Sequence, residues 1–277
     1  MAVIINGKAV AEKICTELKQ KISTMDKKPH LTVIQVGNNT ASSIYVNLKK
    51  KKAEELGIKS TIINFEEKIT EENLIKEITK LNNDNQVHAI LVQLPLPKHI
   101  CTNSIIKAIS PLKDVDGFTV QNSGDLLNGA VPNAYPCTPK GIIRLLEEYN
   151  IEISGKHAVV VGRSNIVGKP VAIMLLNKNA TVTVCHSKTT NLEEITRQAD
   201  ILISAVGKKI IFKDMVKPNA TVIDVGIFKD ENGKTTGDVD FENVKEIVSY
   251  ITPVPKGVGP MTIACLMENT VELFEHQ

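Results

Sequence analysis

The sequence lacks several features that would assign it to a specialised class of protein. Its five cysteines are scattered over 277 residues and include no Cys-x-x-Cys pair, so neither a disulfide framework nor a metal site is expected. No segment approaches the roughly 18 consecutive apolar residues of a membrane span, and no secretory leader is recognisable. We therefore expect a cytoplasmic protein without a membrane partner.

An excess of charge of one sign is also missing. The 33 basic residues nearly balance the 31 acidic ones, which leaves a formal net charge of +2. This balance gives no overall attraction to nucleic acid, so any anion site must be local. The sequence does contain 42% hydrophobic and 23% charged residues, as globular proteins do. Its length allows one large domain or two of medium size.

The first half of the chain alternates between helical and strand-like apolar periods. The predicted elements are a helix carrying Val10, Ile14, Leu18 and Ile22, a strand at 31–37, a helix from Ser42 to Leu56, a strand at 60–65, a helix at 70–82 and a strand at 87–97. Ser42 is the predicted N-cap of the second helix, and Gly57 closes it. This order predicts a parallel sheet with right-handed crossovers.

A loop-rich stretch at 110–139 separates this unit from a second alternation. The elements predicted there are a helix around 142–149, strands at 157–162, 180–185, 200–206, 220–225 and 247–251, and helices at 168–178 and 191–198. We expect two α/β domains, the second a doubly wound, Rossmann-type domain. The predicted bounds are 1–139 and 140–259, and the C-terminal helix within 260–277 is expected to complete the first domain.

A glycine-containing turn connects the strand at 157–162 to the following helix, with the sequence Gly162-Arg163-Ser164-Asn165-Ile166-Val167-Gly168. The exposed N–H groups and the positive dipole end of a helix suit a phosphate group. Gly162 permits the tight turn, and Gly168 permits close packing of the helix. Because the loop is longer than G-x-G-x-x-G, a dinucleotide site and a purely structural turn remain as alternatives.

The end of the next strand favours NADP over NAD. NAD-binding units place an acidic residue about 20 positions after the first glycine, where it binds the ribose 2′-hydroxyl. This sequence has His186, Ser187 and Lys188 in that region, so no carboxylate would repel a 2′-phosphate. Arg163 and Ser187 can bind such a phosphate, and Lys188 is a further candidate. Taken alone, His186 is more typical of an ordinary loop histidine.

Four further side chains are candidates for a substrate site. Tyr45 and Lys49 are four residues apart on a predicted helix and therefore share a face. Gln93 follows a strand, and Asp116 lies in a glycine-terminated turn together with Asp114. A partly desolvated lysine can act as an acid or base near neutral pH. The alternatives are a solvated helix face and plain turn chemistry.

Eight motifs, spread in order over nearly the whole chain, carry a specific resemblance: YVNLK, VQLPLP, KDVDGF, CTPKG, GRSNIVGKP, DVGI, GDVDF and TPVPKGVGPMT. With them the sequence resembles the bifunctional methylenetetrahydrofolate dehydrogenase/methenyltetrahydrofolate cyclohydrolase family. One motif departs from the family pattern PVPGGVGP, because Lys256 replaces the first of its two glycines. The replacement alters the geometry or charge of this loop, where an ammonium could meet a glutamate carboxylate.

The resemblance implies an NADP-dependent oxidation of 5,10-methylenetetrahydrofolate followed by hydrolysis to 10-formyltetrahydrofolate, in a cleft between the two domains. It implies four catalytic residues: Tyr45, Lys49, Gln93 and Asp116. It implies substrate contacts from Tyr45, Gln93, Leu94, Asp116, Pro255, Gly257 and Gly259, and NADP contacts from Gly162, Arg163, Ser164, Ile166, Gly168, Ser187 and Ile227. A homodimer through the cofactor domain is also implied.

Two alternative functions differ in what they require of these residues. One is a dehydrogenase that has lost the cyclohydrolase activity, which the retention of both Lys49 and Gln93 argues against. The other is a non-catalytic module that senses NADP or binds a partner through a Rossmann domain. Such a module would have no need for the set of four catalytic candidates.

Overall fold

The computed structural model of the chain describes residues 2–231 and 233–277. The helices are α1 (Gly7–Ser23), α2 (Thr40–Leu56), α3 (Glu71–Asn83), α4 (Thr102–Ala108), α5 (Val120–Leu127), α6 (Cys137–Glu148), α7 (Gly168–Asn177), α8 (Leu192–Thr196), α9 (Phe241–Val244) and α10 (Val258–Glu275). The strands are β1 (Val3–Ile4), β2 (His30–Val36), β3 (Lys59–Phe65), β4 (Ala89–Val92), β5 (His157–Val161), β6 (Thr181–Cys185), β7 (Ile201–Ser204), β8 (Thr221–Asp224), β9 (Phe228–Lys229), β10 (Thr235–Thr236) and β11 (Tyr250–Ile251). Among the described residues, no helix is long and apolar enough to cross a membrane.

The chain divides into two compact units. One comprises Lys13–Tyr135 and Ile263–Gln277, and the other comprises Met1–Glu12 and Pro136–Thr262. The N-terminal segment belongs to the second of these because β1 pairs in parallel with β11. A two-residue strand has too short an apolar period to be predicted from sequence, which is why this placement was not anticipated.

The unit containing Lys13–Tyr135 is built on a three-stranded parallel sheet with the order β3-β2-β4. All seven residues of the central strand β2 are buried, as expected for a parallel strand covered on both faces. Ile34 and Ile90 of the sheet pack with Leu74 and Ile78 of α3 and with Ile105 of α4. This core fixes the carboxyl edge of the sheet, where α2 begins and β4 ends.

The other unit contains a six-stranded parallel sheet with the order β1-β11-β8-β7-β5-β6. From β5 the chain moves outward to β6, and β7 then pairs on the opposite side of β5. The strand order therefore reverses between β5 and β7, where doubly wound sheets bind their ligands. The predicted doubly wound architecture is confirmed, and the glycine turn that follows β5 lies at this switch point.

Several sequence-based element boundaries are wrong for local reasons. The strand predicted at 87–97 ends at Val92, because Pro95 and Pro97 have no N–H group with which to continue the ladder. Helix α5 forms within the stretch at 110–139 where loop had been expected, and α4 forms at 102–108, for which no element had been predicted. The N-cap of α2 is Asn39, whose side chain accepts from the Ser42 N–H at 3.0 Å, so Ser42 itself is not the cap. Gly57 closes that helix in the left-handed conformation, as predicted.

Candidate active site

Lys49 and Gln93 form a direct contact at the carboxyl edge of the three-stranded sheet. The Nζ atom of Lys49 donates to Oε1 of Gln93 at 3.0 Å. Gln93 in turn donates from Nε2 to the carbonyl oxygen of Leu94 at 2.7 Å, which fixes the orientation of the amide. An amide oxygen positions an amine without adding a full negative charge beside it. The contact holds the Nζ atom of Lys49 in a fixed position at this edge of the sheet.

Tyr45 lies one helical turn before Lys49 on α2 and exposes 43% of its surface. Its ring is therefore available to stack on an aromatic ligand, while Lys49 is half-buried. The lysines that follow behave as a solvated face: Lys50 pairs with Glu54 at 3.8 Å, and Lys52 pairs with Glu55 at 2.6 Å. The contact with Gln93 distinguishes Lys49 from its charged neighbours.

Gln35 is a buried polar residue that the sequence analysis did not identify. It lies in β2 and donates from Nε2 to the Gly37 carbonyl at 3.2 Å and to Oγ of Ser43 at 2.7 Å. These bonds join the end of β2 to the first turn of α2, the helix that carries Tyr45 and Lys49. A polar residue inside the otherwise apolar segment LTVIQVG was the signal that could have revealed it.

The two aspartates of the KDVDGF turn have different environments. Asp114 is buried and accepts from the Thr119 N–H at 2.7 Å and from Nδ2 of Asn122 at 2.9 Å, so it stabilises the turn. Asp116 is half-buried and lines a small cavity together with Leu94. The structure thus brings together Leu94 and Asp116, two of the predicted substrate-binding residues.

Asn269 of α10 anchors the same turn from the C-terminal segment. Its Nδ2 donates to the carbonyl oxygens of Val115 and Tyr135, at 2.8 Å each. Because the side chain of Asn269 is fully buried, these two bonds fix the backbone beside Asp116. Sequence spacing could not indicate this contact, which joins residues 154 positions apart.

The glycine turn after β5 is sterically constrained at both ends. A Cβ on Gly162, whose φ is +123°, would lie 2.6 Å from the carbonyl oxygen of Ala205. A Cβ on Gly168 would overlap the carbonyl oxygen of Gly162. Any larger residue would push the turn away from β7 or from α7. Both positions therefore require glycine for close approach, as the sequence predicted.

Ser164 accepts hydrogen bonds from the backbone where α7 begins, although the N-cap residue of that helix is Val167. Its Oγ accepts from the N–H groups of Val167 at 3.1 Å and of Gly168 at 3.3 Å. A hydroxyl that accepts two hydrogen bonds still has its proton to donate, so Ser164 remains able to bind a phosphate oxygen. Arg163 and Ile166 are exposed in the same loop. The turn thus offers hydroxyl, guanidinium and apolar groups to a ligand.

The end of β6 lies directly beside the glycine turn. The Gly162 N–H donates to the Cys185 carbonyl at 2.9 Å, so Arg163 and Ser187 follow adjacent strands. His186 behaves as a loop histidine, since its Nδ1 accepts from the Lys188 N–H at 3.2 Å. Ser187 and Lys188 are exposed. This turn presents hydroxyl and ammonium groups and contains no carboxylate, as binding of a 2′-phosphate requires.

Two buried aspartates lie behind the loops that follow β7 and β8, and the sequence analysis gave them no role. Asp238 accepts hydrogen bonds from Ser204 and from three backbone N–H groups, and Asp224 accepts from three other N–H groups. Burial raises the pKa of Asp224 to about 7, although its N–H donors act in the opposite direction. Because both carboxylates are buried and hydrogen-bonded to backbone N–H groups, they hold the neighbouring loops in shape.

The PVPKGVGP loop lies in the unit that contains the six-stranded sheet. A Cβ on Gly259 would lie 3.6 Å from Cδ1 of Ile227, and a Cβ on Gly257 would overlap the Pro253 carbonyl. Lys256 has a φ of +82°, a left-handed conformation that favours glycine. The predicted substrate residues Pro255, Gly257 and Gly259 therefore belong to one unit, whereas Tyr45, Gln93, Leu94 and Asp116 belong to the other.

No group of three or more His, Cys, Asp or Glu side chains in residues 2–231 and 233–277 could hold a metal ion.

The glycine turn at the switch point, with phosphate-binding groups on adjacent strands, defines a nucleotide-binding α/β protein. The family description "Tetrahydrofolate dehydrogenase/cyclohydrolase, catalytic domain" matches residues 5–116. The description "Tetrahydrofolate dehydrogenase/cyclohydrolase, NAD(P)-binding domain" matches residues 136–277. The chain belongs to this tetrahydrofolate dehydrogenase/cyclohydrolase family.

Individual relatives resemble the chain over its full length. A bifunctional protein FolD from Bacillus anthracis is 55% identical over 276 residues, covering 98% of this chain and 96% of the relative. The crystal structure of the bifunctional FolD methylenetetrahydrofolate dehydrogenase/cyclohydrolase from Campylobacter jejuni is 50% identical, with a TM-score of 0.98 over 100% of this chain and 99% of that one. The Trypanosoma brucei FolD complexed with NADP cofactor and inhibitor is 38% identical, with a TM-score of 0.94 over 99% and 98% of the two chains.

Proposed function

We propose that this chain oxidises 5,10-methylenetetrahydrofolate with NADP and hydrolyses the resulting 5,10-methenyltetrahydrofolate to 10-formyltetrahydrofolate. The hydrogen bond between Lys49 and Gln93 carries the assignment of the second activity, because a dehydrogenase alone has no need of it. The 55% identical relative is a bifunctional protein, which agrees with both activities in one chain. The monofunctional alternative and the non-catalytic module are therefore not favoured.

Lys49 is proposed to move protons during the hydrolysis. Water adds to the methenyl carbon and loses a proton, and the bond from that carbon to one folate nitrogen then breaks to leave the formyl group on the other. The amine of Lys49 can take the first proton from the attacking water and pass it to the leaving nitrogen, while the second proton of that water is released to solvent as the formyl C=O forms. Gln93 holds the amine in place throughout through its hydrogen bond.

The remaining substrate contacts are proposed from side-chain chemistry. Tyr45 stacks its exposed ring on the aromatic part of the folate. Asp116 accepts from adjacent N–H donors of the pterin, a match for the two oxygens of a carboxylate. Leu94 lines the same cavity as Asp116 and adds an apolar contact. The proposed loop contacts come from Pro255, Gly257 and Gly259.

The glycine turn is proposed to hold NADP. NADP, when bound, supplies the hydride acceptor for the oxidation. The fit rests on space as well as charge, because Gly162 and Gly168 carry no side chain at the two ends of the turn while α7 presents its N-terminus. Arg163 and Ser187 bind the 2′-phosphate, while the other contacts come from Gly162, Ser164, Ile166, Gly168 and Ile227.

We also propose a separate binding role for each domain and a dimeric assembly of the chain. The unit of Lys13–Tyr135 and Ile263–Gln277 serves as the folate-binding domain, and the unit of Met1–Glu12 and Pro136–Thr262 serves as the NADP-binding domain, so the N-terminal twelve residues depart from the sequence-based bounds of 1–139 and 140–259. The protein is a cytoplasmic homodimer joined through the cofactor domain. Strand β6 is an edge of the six-stranded sheet with Val184 exposed, which suits an interface there. Light scattering across a concentration series would test the dimer, and a monomer at micromolar concentration would contradict it.

Lys49→Met tests the proposed function, with Lys50→Met as the matched control. Loss of the proton-transferring amine should abolish hydrolysis of supplied methenyltetrahydrofolate while damaging the dehydrogenase less. Lys50 lies on the solvated face and pairs with Glu54, so its replacement should leave both activities near those of the unmodified protein. Equal, small losses of both activities in Lys49→Met would contradict the assigned role.

A further inference from the structure

We infer that Asp238 is a positioning residue for the NADP site: its carboxylate fixes the loop 205–208 after β7, which lines one side of the switch point. The inference rests on the proposed function, since it concerns how that cofactor site is kept in shape. Asp238 is fully buried. It acts through the backbone of the loop and is assigned no contact with the cofactor itself.

Four donors converge on the two oxygens of Asp238. Oδ2 accepts from Oγ of Ser204 at 2.8 Å and from the Val206 N–H at 2.7 Å. Oδ1 accepts from the N–H groups of Gly207 and Lys208, at 2.9 Å each. Three successive backbone N–H groups directed at one anion form a nest, and here the anion is part of the protein. The carboxylate therefore dictates the conformation of this loop.

A second carboxylate supports Asp238. Oδ1 of Asp224 accepts the N–H of Asp238 at 2.9 Å and that of Gly226 at 3.1 Å, and its Oδ2 accepts the Val239 N–H at 3.0 Å. Gly226 is packed so closely that a Cβ there would overlap Oδ1 of Asp238. The Asp238 carboxylate thus also contacts the loop after β8, which continues into Ile227.

The loop held by Asp238 is in direct contact with the glycine turn. The Ala205 N–H donates to the Val161 carbonyl at 2.8 Å, and the Ala205 carbonyl oxygen is the atom nearest to a Cβ built on Gly162. A shift of residues 205–208 would therefore change the wall against which the turn is packed. Because packed interiors transmit small displacements, the loss of one hydrogen bond to Asp238 should shift the backbone of the glycine turn, where the NADP phosphate is proposed to bind.

Asp238→Asn is the discriminating variant, because it preserves size and removes one acceptor oxygen. An amide offers one oxygen and one NH2 group, so at least one of the three N–H groups must face a donor. Losing a bond to a charged acceptor inside this site should raise the KM for NADP about 10- to 100-fold. The KM for NAD should rise by the same factor, since the 2′-phosphate is bound elsewhere.

Asp240→Asn is the matched control. It makes the same chemical change two residues further along, where the carboxylate accepts from Nδ2 of Asn243 at 2.6 Å. Its KM for NADP should stay near that of the unmodified protein. Hydrolysis of supplied methenyltetrahydrofolate needs no NADP and should be unchanged in both variants. A merely structural role for Asp238 would instead lower both activities together, with an unaltered KM for NADP, and that result would overturn the inference.

Gly207→Ala provides an independent test if Asp238→Asn does not fold. Gly207 has a φ of +79°, and a Cβ built there meets nothing within 4 Å, so the methyl group disturbs only the backbone conformation of the loop. The inference predicts a raised KM for NADP with unchanged hydrolysis, and an unchanged KM would overturn it. If the unmodified protein did not reduce NADP, the proposed function itself would be refuted. This outcome is distinct from an unchanged KM in the variants, which would refute only the inference about Asp238.

Discussion

Replacing Gln93 with leucine tests the geometry of the candidate active site most closely. Leucine keeps much of the side-chain volume but removes Oε1, which accepts from Lys49 at 3.0 Å, and Nε2, which donates to the Leu94 carbonyl at 2.7 Å. The amine of Lys49 would then lose its fixed position while the backbone of α2 and β4 stayed in place. The variant therefore keeps the Lys49 side chain and removes only the contact that positions it.

The magnitude follows from the bond that is lost. A hydrogen bond made by a charged group contributes about 1.5–3 kcal/mol, which corresponds to about 10- to 100-fold in rate when the bond matters in the transition state. We expect cyclohydrolase activity to fall within that range and dehydrogenase activity to fall less. The Leu94 carbonyl also loses a partner, which should lower the free energy of unfolding by about 1 kcal/mol.

The assay should supply methenyltetrahydrofolate directly and follow its disappearance, with dehydrogenase activity measured in parallel. Hydrolysis by Gln93→Leu within about twofold of the unmodified rate would refute the claim that this contact positions a proton-transferring amine.

Three further predictions concern the cofactor, the loop and stability. Arg163→Ala or Ser187→Ala should raise the KM for NADP more than that for NAD, and an unchanged ratio in both variants would contradict the assignment of the 2′-phosphate site. Lys256→Gly should raise the free energy of unfolding in urea by about 1 kcal/mol, because φ is +82° at this position, and a loss of stability would contradict this. Burial lowers the pKa values of His30 and His88, so the folded state binds fewer protons than the unfolded state in mildly acid solution. Stability should therefore be complete above pH 6.5 and should fall as the pH drops below it, and His30→Gln should flatten this dependence in urea titrations at pH 7.5 and 5.5.

Apolar periodicity predicted most of the elements because they are long and bury a regular face. It failed where local chemistry sets the end of an element, or where an element is too short to show a period. The strand β4 stops before Pro95, α5 forms within a segment rich in turn residues, and β1 has two residues that are defined only by pairing with β11. Where these elements begin and end depends on their tertiary partners, and apolar periodicity carries no information about those partners.

The candidate site was predictable where topology alone brings residues together. Lys49 on α2 and Gln93 after β4 meet because β2 and β4 are parallel neighbours in one sheet. The different environments of Asp114 and Asp116 could not be predicted, since burial of the first depends on Thr119 and Asn122. Likewise the donors to Asp238 come from residues 30–34 positions earlier, and spacing gives no sign of them.

Ser164 has a structural contact that the sequence did not indicate. The family resemblance implies an NADP contact for it, and the structure shows that its hydroxyl also accepts from the N–H groups of Val167 and Gly168. The two roles are compatible, because these hydrogen bonds use the lone pairs and leave the hydroxyl proton. The phosphate contact itself stays a prediction, which the cofactor variants test.

We propose above all that one chain both oxidises 5,10-methylenetetrahydrofolate with NADP and hydrolyses the product. The most direct measurement supplies the purified protein with 5,10-methylenetetrahydrofolate, separately with NADP and with NAD, and follows reduced cofactor and methenyltetrahydrofolate together. We predict that reduced NADP forms while methenyltetrahydrofolate stays low, and that NAD is used less well. Methenyltetrahydrofolate accumulating in step with reduced cofactor, or no turnover with either cofactor, would contradict it.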